Sequence, residues 1–167
     1  MSVTLHIVRA TGLADQNNQT VIRRYAEAYP NVNIILAHAA RGFNPYHTLK
    51  GIGSLSGLGN IYFDSSAVAD AGALEGIIKT MGYQRLLYGS DFPVSHGRGR
   101  PVGIGDTFIW LDSDILPEYA PHGVKIDLIY SGLESLRAMK TAAIATGLSD
   151  SQVEDIFFGN AARLYSL

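Results

Sequence analysis

The sequence predicts an α/β protein built on a parallel sheet, and three observations carry that reading. Short apolar, β-branched runs begin near residues 3, 32, 60 and 85, an interval that fits repeated βα units joined by right-handed crossovers. Segments with helical spacing of apolar residues lie between them. The run from Val32 to Ala37 is almost continuously apolar, as in a parallel strand covered on both faces. With 167 residues, 47% hydrophobic and 17% charged, residues 1–167 suffice for one well-buried domain.

Val3 to Val8 reads as the first strand, with Thr4, His6 and Val8 on one face and Leu5 and Ile7 on the other. Gly12 to Asn18 is turn-forming. From about Asn18, the residues Val21, Ile22, Tyr25, Ala28 and Tyr29 recur at helical spacing until Pro30 ends the helix. Val32 to Ala37 is the second strand, followed by His38. A short helix is expected from about Pro45 to Gly51, and a glycine-rich approach leads to a third strand over Asn60 to Phe63, ended by Asp64. Ala67 to Met81 follows as a helix of small and apolar residues, and Arg85 to Tyr88 as the fourth strand. Residues 94 to about 121 break this rhythm with S-H-G-R-G-R-P-V-G-I-G-D and two prolines, an excursion over one end of the sheet. Asp127 to about Thr146 is a helix stopped by Gly147, Ser149 caps a further helix through Phe158, and Asn160 to Tyr165 adds a last turn or two.

Composition excludes several classes of function. A formal net charge of −2 with no basic stripe argues against nucleic acid as a partner. The first residues, M-S-V-T-L-H-I-V-R, turn polar too soon for a signal peptide, and no apolar run reaches membrane-spanning length, so a soluble protein is expected. Without cysteine there are no disulfides and no thiolate ligands, which favours the cytoplasm and leaves any metal to histidines and carboxylates. Two glycine patterns are set aside. G-I-G-S-L-S-G at Gly51 to Gly57 leads into a strand where a dinucleotide loop would leave one, and G-R-G-R-P-V-G-I-G has neither a following helix nor a phosphate-binding lysine.

The chemistry-bearing residues stand at strand ends. His6 closes the first strand and His38 the second, while Asp91 follows the fourth in R-L-L-Y-G-S-D-F-P-V, held between Gly89 and Pro93. Parallel sheets gather their sites at the carboxyl ends of the strands, so three metal-competent residues distant in sequence converge there. Each also has a structural reading, a cap for Asp91 and a hydrogen-bonded strand end for the histidines. Arg41, three residues past His38, and the group His96, Arg98 and Arg100 are candidates to clamp a substrate carboxylate, and a solvated turn is the alternative for Arg98 and Arg100. His47 and His122 have no motif around them and read as surface or helix residues.

L-H-I-V-R, I-I-L-A-H-A-A-R-G-F, N-I-Y-F-D-S-S, L-L-Y-G-S-D-F-P and the closing F-F-G-N-A-A-R-L-Y together resemble the amidohydrolase-related family, metal-dependent hydrolases and decarboxylases on a TIM barrel, of which aminocarboxymuconate-semialdehyde decarboxylase is a known member. The resemblance spans nearly the whole chain and is to the carboxyl-terminal half of the barrel, strands 5 to 8. It implies a half-barrel in which His6 is a metal ligand, His38 binds metal or handles the catalytic water, and Asp91 is a ligand or base. The family's first-strand pair of ligands has no counterpart in this sequence. The implied cofactor is a divalent metal, zinc or alternatively manganese. The implied function is a metal-dependent hydrolase or lyase, including decarboxylase, acting through a metal-activated water on a small carboxylated substrate. The alternative is a non-catalytic truncated half-barrel that needs a partner chain. Four parallel strands would leave Thr4, His6, Val8, Ile34 and Leu36 facing open space, so a homodimer or a complementary half-barrel is expected to close the barrel, over an interface on the order of 2,000 Å².

Overall fold

The computed structural model describes residues 1–7, 11–119 and 125–167. Val8, Arg9 and His122 lie outside the described residues. Four parallel strands, β1 (Ser2–Leu5), β2 (Asn33–Leu36), β3 (Ile61–Asp64) and β4 (Leu86–Leu87), pair in the order β1-β2-β3-β4. Helices fill the crossovers. Helix α1 (Gln16–Ala28) joins β1 to β2, and its first turn is capped by Asp15, which accepts from the amides of Asn17 and Asn18. Between β2 and β3 come α2 (Ala37–Arg41), a left-handed turn, and α3 (Pro45–Gly51). Helix α4 (Ala71–Met81), capped by Asp70, leads back to β4. It starts at residue 71 where residue 67 was expected, because Asp70 takes the cap.

The excursion after β4 is a built element. Strands β5 (Gly99–Ile104) and β6 (Thr107–Asp112) form an antiparallel hairpin, followed by the short α5 (Leu116–Tyr119). Helix α6 (Ser131–Thr146) begins at residue 131, later than the expected 127, and Gly147 caps it in the left-handed conformation. Helix α7 (Asp150–Glu154) opens with a capping box of Ser149 and Gln152. It passes into a wider π turn over Asp155–Gly159 and then α8 (Asn160–Tyr165), so the helix expected to run through Phe158 is two elements.

Pairing register decides which face each strand residue occupies. Thr4 pairs with Ile35, whereas Val3 and Leu5 pair with Ile34 and Leu36. Register partners in a parallel ladder point to the same side. Ile34 and Leu36 therefore lie opposite Thr4, against the expectation that they share its open face, and they join Ile61, Phe63 and Leu86 in the core beneath the helices. Leu13, Ile22, Leu74, Ile77, Ala138, Met139 and Ile156 complete that layer. Burial of these side chains is the main stabilising term, at about 25 cal/mol per Å² of apolar surface. Two buried asparagines satisfy carbonyls where elements end: Asn60 donates to Ala26, Tyr29 and Val32 at and after the end of α1, and Asn160 to Tyr83 and Leu86 just before and at the start of β4.

The sheet has open ends. β1 is terminal, with Val3 and Thr4 both exposed, and β4 ends the other side. Exposed apolar residues recur at helical spacing: Val21 and Tyr25 on α1 with Tyr29 at its C-cap, and Leu133 and Leu136 on α6, while Phe157 and Phe158 are exposed in the π turn.

Candidate functional site

The carboxyl ends of the four strands bring His6, His38, Asp64 and Asp91 to one end of the sheet. The expected strand from Val3 to Val8 stops at Leu5, so His6 is the first residue past β1. His38 sits in α2, where His38, Ala39, Ala40 and Arg41 have φ of 55°, 52°, 59° and 64°. Four successive non-glycine residues in the left-handed region cost about 1–2 kcal/mol each, so the surroundings must hold the turn. They do so by tight packing. Ala39 and Ala40 are fully buried, Thr48 donates to the carbonyl of Ala39, and Gly12 approaches so closely that a Cβ there would meet the Ala40 carbonyl oxygen at 2.8 Å. Asp91 also has a left-handed backbone, φ 55°.

His38 is buried and surrounded by oxygens. Its Nδ1 lies 3.0 Å from the carbonyl oxygen of Ser66, 3.0 Å from Ser66 Oγ and 4.0 Å from Asp91 Oδ2. Asp64 Oδ1 accepts from the backbone amides of His38 and Ser66 and from Ser66 Oγ, at 2.8, 3.1 and 2.5 Å. The His6 ring stands edge-on to that of His38, centroids 4.9 Å apart. Partial desolvation lowers the pKa of His6, and the nearby His38 and Arg41 lower it further against the pull of Asp91 and Asp64. The shift favours the neutral imidazole.

An aromatic wall adjoins these groups. Phe43 packs 5.2 Å from the His38 ring and meets Phe108 and Trp110 of the hairpin, while the Arg41 guanidinium lies over Phe108 at 5.3 Å and over Phe43 at 5.9 Å. Arg41 Nη1 donates to the Ile7 carbonyl at 3.4 Å. The hairpin is fastened over the site by α3: Asn44 donates to the carbonyls of Gly105 and Thr107, and His47 Nε2 lies 3.2 Å from that of Asp106. His47 is a helix residue as expected but not a surface one, being 1% exposed. The reason is the hairpin packed on it.

The other expected site residues point elsewhere. His96 contacts Phe92 and Tyr130, and Arg98 donates to Leu128 and covers the Tyr130 ring. Arg100 is engaged by the Ala69 carbonyl and Glu134. Asp64, Ser66, Phe43 and the hairpin aromatics were missed by sequence reasoning, although D-S-S after a strand is the composition of a side-chain-capped turn.

Imidazole nitrogen and carboxylate oxygen are the right donor types for a divalent metal. Their number is short. Among the described residues, no group of three or more histidines and carboxylates is arranged to hold a metal ion.

No curated protein sequence matches the chain. Solved structures do match it in fold. An amidohydrolase from Burkholderia multivorans with bound zinc superposes with a TM-score of 0.58 at 14% identity, over 98% of this chain and 52% of that one. A 4-oxalomesaconate hydratase from Rhodopseudomonas palustris gives 0.52 at 18% identity, over 98% and 45%. A 2,6-dihydroxybenzoate decarboxylase complexed with 2,6-dihydroxybenzoate gives 0.51 at 16%, over 91% and 41%. The chain thus spans about half the length of these proteins, as expected of strands 5 to 8 of a TIM barrel. The amidohydrolase family model matches residues 2–167, and on that match the chain belongs to the amidohydrolase family.

Proposed function

We propose that this chain is the carboxyl-terminal half-barrel of a metal-dependent hydrolase or decarboxylase acting on a small carboxylated substrate. The observation that carries the reading is the meeting of His6, His38 and Asp91 at the strand ends, beside the Arg41 guanidinium and the Phe43 wall. In this reading His6 and Asp91 supply part of a donor set for zinc or manganese, and His38 serves as a further ligand or as the group that manages a proton. A bound divalent cation would supply an activated water. Arg41 receives the substrate carboxylate, and the aromatic wall excludes solvent from it. His96 and Arg98 act from the Tyr130 side.

In this reading the donors that the described residues lack, and the cover for the open edges, come from a partner. A second copy, or a complementary half-barrel, pairing along β1 and β4 would meet both needs and would bury the exposed residues of α1 and α6. Among the described residues no helix is long and apolar enough to cross a membrane. A cytoplasmic setting remains our reading of the cysteine-free composition. Titration of the purified chain with zinc and with manganese tests the enzymatic reading. Uptake of either supports it, and uptake of neither leaves the second reading, a non-catalytic half-barrel.

A further inference from the structure

We infer that Ser66 and Asp64 are positioning residues that fix His38 in the tautomer with its proton on Nδ1, leaving the Nε2 lone pair free for the site.

A backbone carbonyl can only accept, and the Ser66 carbonyl lies 3.0 Å from His38 Nδ1. Ser66 Oγ, also 3.0 Å from Nδ1, is ambiguous alone, since a hydroxyl both donates and accepts. Asp64 removes the ambiguity. Its Oδ1 already takes the amide protons of His38 and Ser66, and as a carboxylate it can offer Ser66 Oγ only an acceptor, at 2.5 Å. The hydroxyl proton therefore goes to Asp64, and Ser66 Oγ is left with lone pairs towards the imidazole. Asp91 Oδ2, 4.0 Å from the same nitrogen, adds negative charge on that side. Every oxygen around Nδ1 favours a proton there, so in the neutral ring Nε2 is bare.

A histidine must present such a lone pair to accept a proton or bind a metal, and the partner of its other nitrogen decides which one it presents. The inference deepens the proposed function, in which His38 works through that atom, and the tautomer itself does not depend on a metal being bound.

Nitrogen-15 NMR of the metal-free, uniformly labelled full chain, at a pH well above the ordinary histidine range, reads the tautomer directly. The expected spectrum has the proton of His38 on Nδ1, with Nε2 in the bare, pyridine-like class. A proton on Nε2 would overturn the inference, and because this is read on the wild type it does not depend on any variant folding. Ser66→Ala should raise the minor tautomer about fivefold, the effect of one lost hydrogen bond, and Ser66→Thr should restore the wild-type ratio. An unchanged ratio in a folded Ser66→Ala protein would remove the hydroxyl from the account. Absence of zinc uptake would count against the proposed function and leave this result standing.

Discussion

The rings of His6 and His38 meet edge-on with centroids 4.9 Å apart, although the two residues follow different strands and are separated by a helix. The contact places two imidazoles where both cannot easily be charged. The pKa of His6 falls below its ordinary 6.5 because of partial desolvation first and the neighbouring His38 and Arg41 second.

That shift sets the direction of a pH effect. Between the lowered folded value and 6.5 the unfolded chain holds more protons than the folded one, so stability falls as pH drops through this window. Below the folded value the penalty is complete. Urea unfolding from about pH 8 to about pH 5 should show the wild type losing stability relative to His6→Ala, by a small amount because the His6 side chain is solvent-accessible. Parallel pH profiles would contradict the assignment.

Asn44 both caps α3 and holds the hairpin tip, donating to Gly105 and Thr107 and accepting from the Tyr46 amide. Asn44→Ala should cost about 2–3 kcal/mol, since it removes a cap and leaves two carbonyls short of a donor. Trp110 reports the same event. Its fluorescence should shift to the red in the folded variant if the hairpin loosens from Phe43, and an unshifted spectrum would mean that other contacts hold the hairpin.

His47→Ala tests the buried side of the same clamp. The ring is 1% exposed and its Nε2 meets the Asp106 carbonyl, so the variant should be destabilised by about 1–3 kcal/mol. A surface histidine would change stability by less than about 0.5 kcal/mol, which is the outcome that would contradict this placement.

Sedimentation equilibrium addresses the open edges at β1 and β4. If two copies close a barrel, the species at micromolar concentration should be near twice the chain mass of 18.0 kDa. A well-behaved monomer that binds no hydrophobic dye would contradict closure by any partner, because the exposed flanks of α1 and α6 would then need no cover.

Strand positions were legible because punctuation marks them. Val32 to Ala37 is interrupted only by Asn33 in an otherwise apolar run, and Gly89 and Pro93 bracket Asp91, so both strand ends, and with them the places of His38 and Asp91, could be read directly. The left-handed turn of A-H-A-A-R could not, since alanine carries no signal for that conformation and only packing around Ala39 and Ala40 imposes it. The face of Ile34 and Leu36 was not legible either, because it is set by the register of the hydrogen-bonded ladder and not by the residues of one strand. The hairpin was readable in principle: G-D at Gly105 and Asp106 precedes T-F-I-W-L, a strand run, but the glycines and proline before it obscured its partner. With the hairpin unseen, the burial of His47 and the aromatic wall beside His38 were out of reach.

In the proposed metal site His6 and Asp91 are two donors of a set that this chain supplies in part. Equilibrium dialysis of zinc against the wild-type chain and Asp91→Asn, with circular dichroism confirming equal helicity, tests that pairing of donors. Zinc should be taken up by the wild type, at least about tenfold more weakly by Asp91→Asn with the fold intact. No uptake by the wild type, or equal uptake by both proteins, would contradict the pairing.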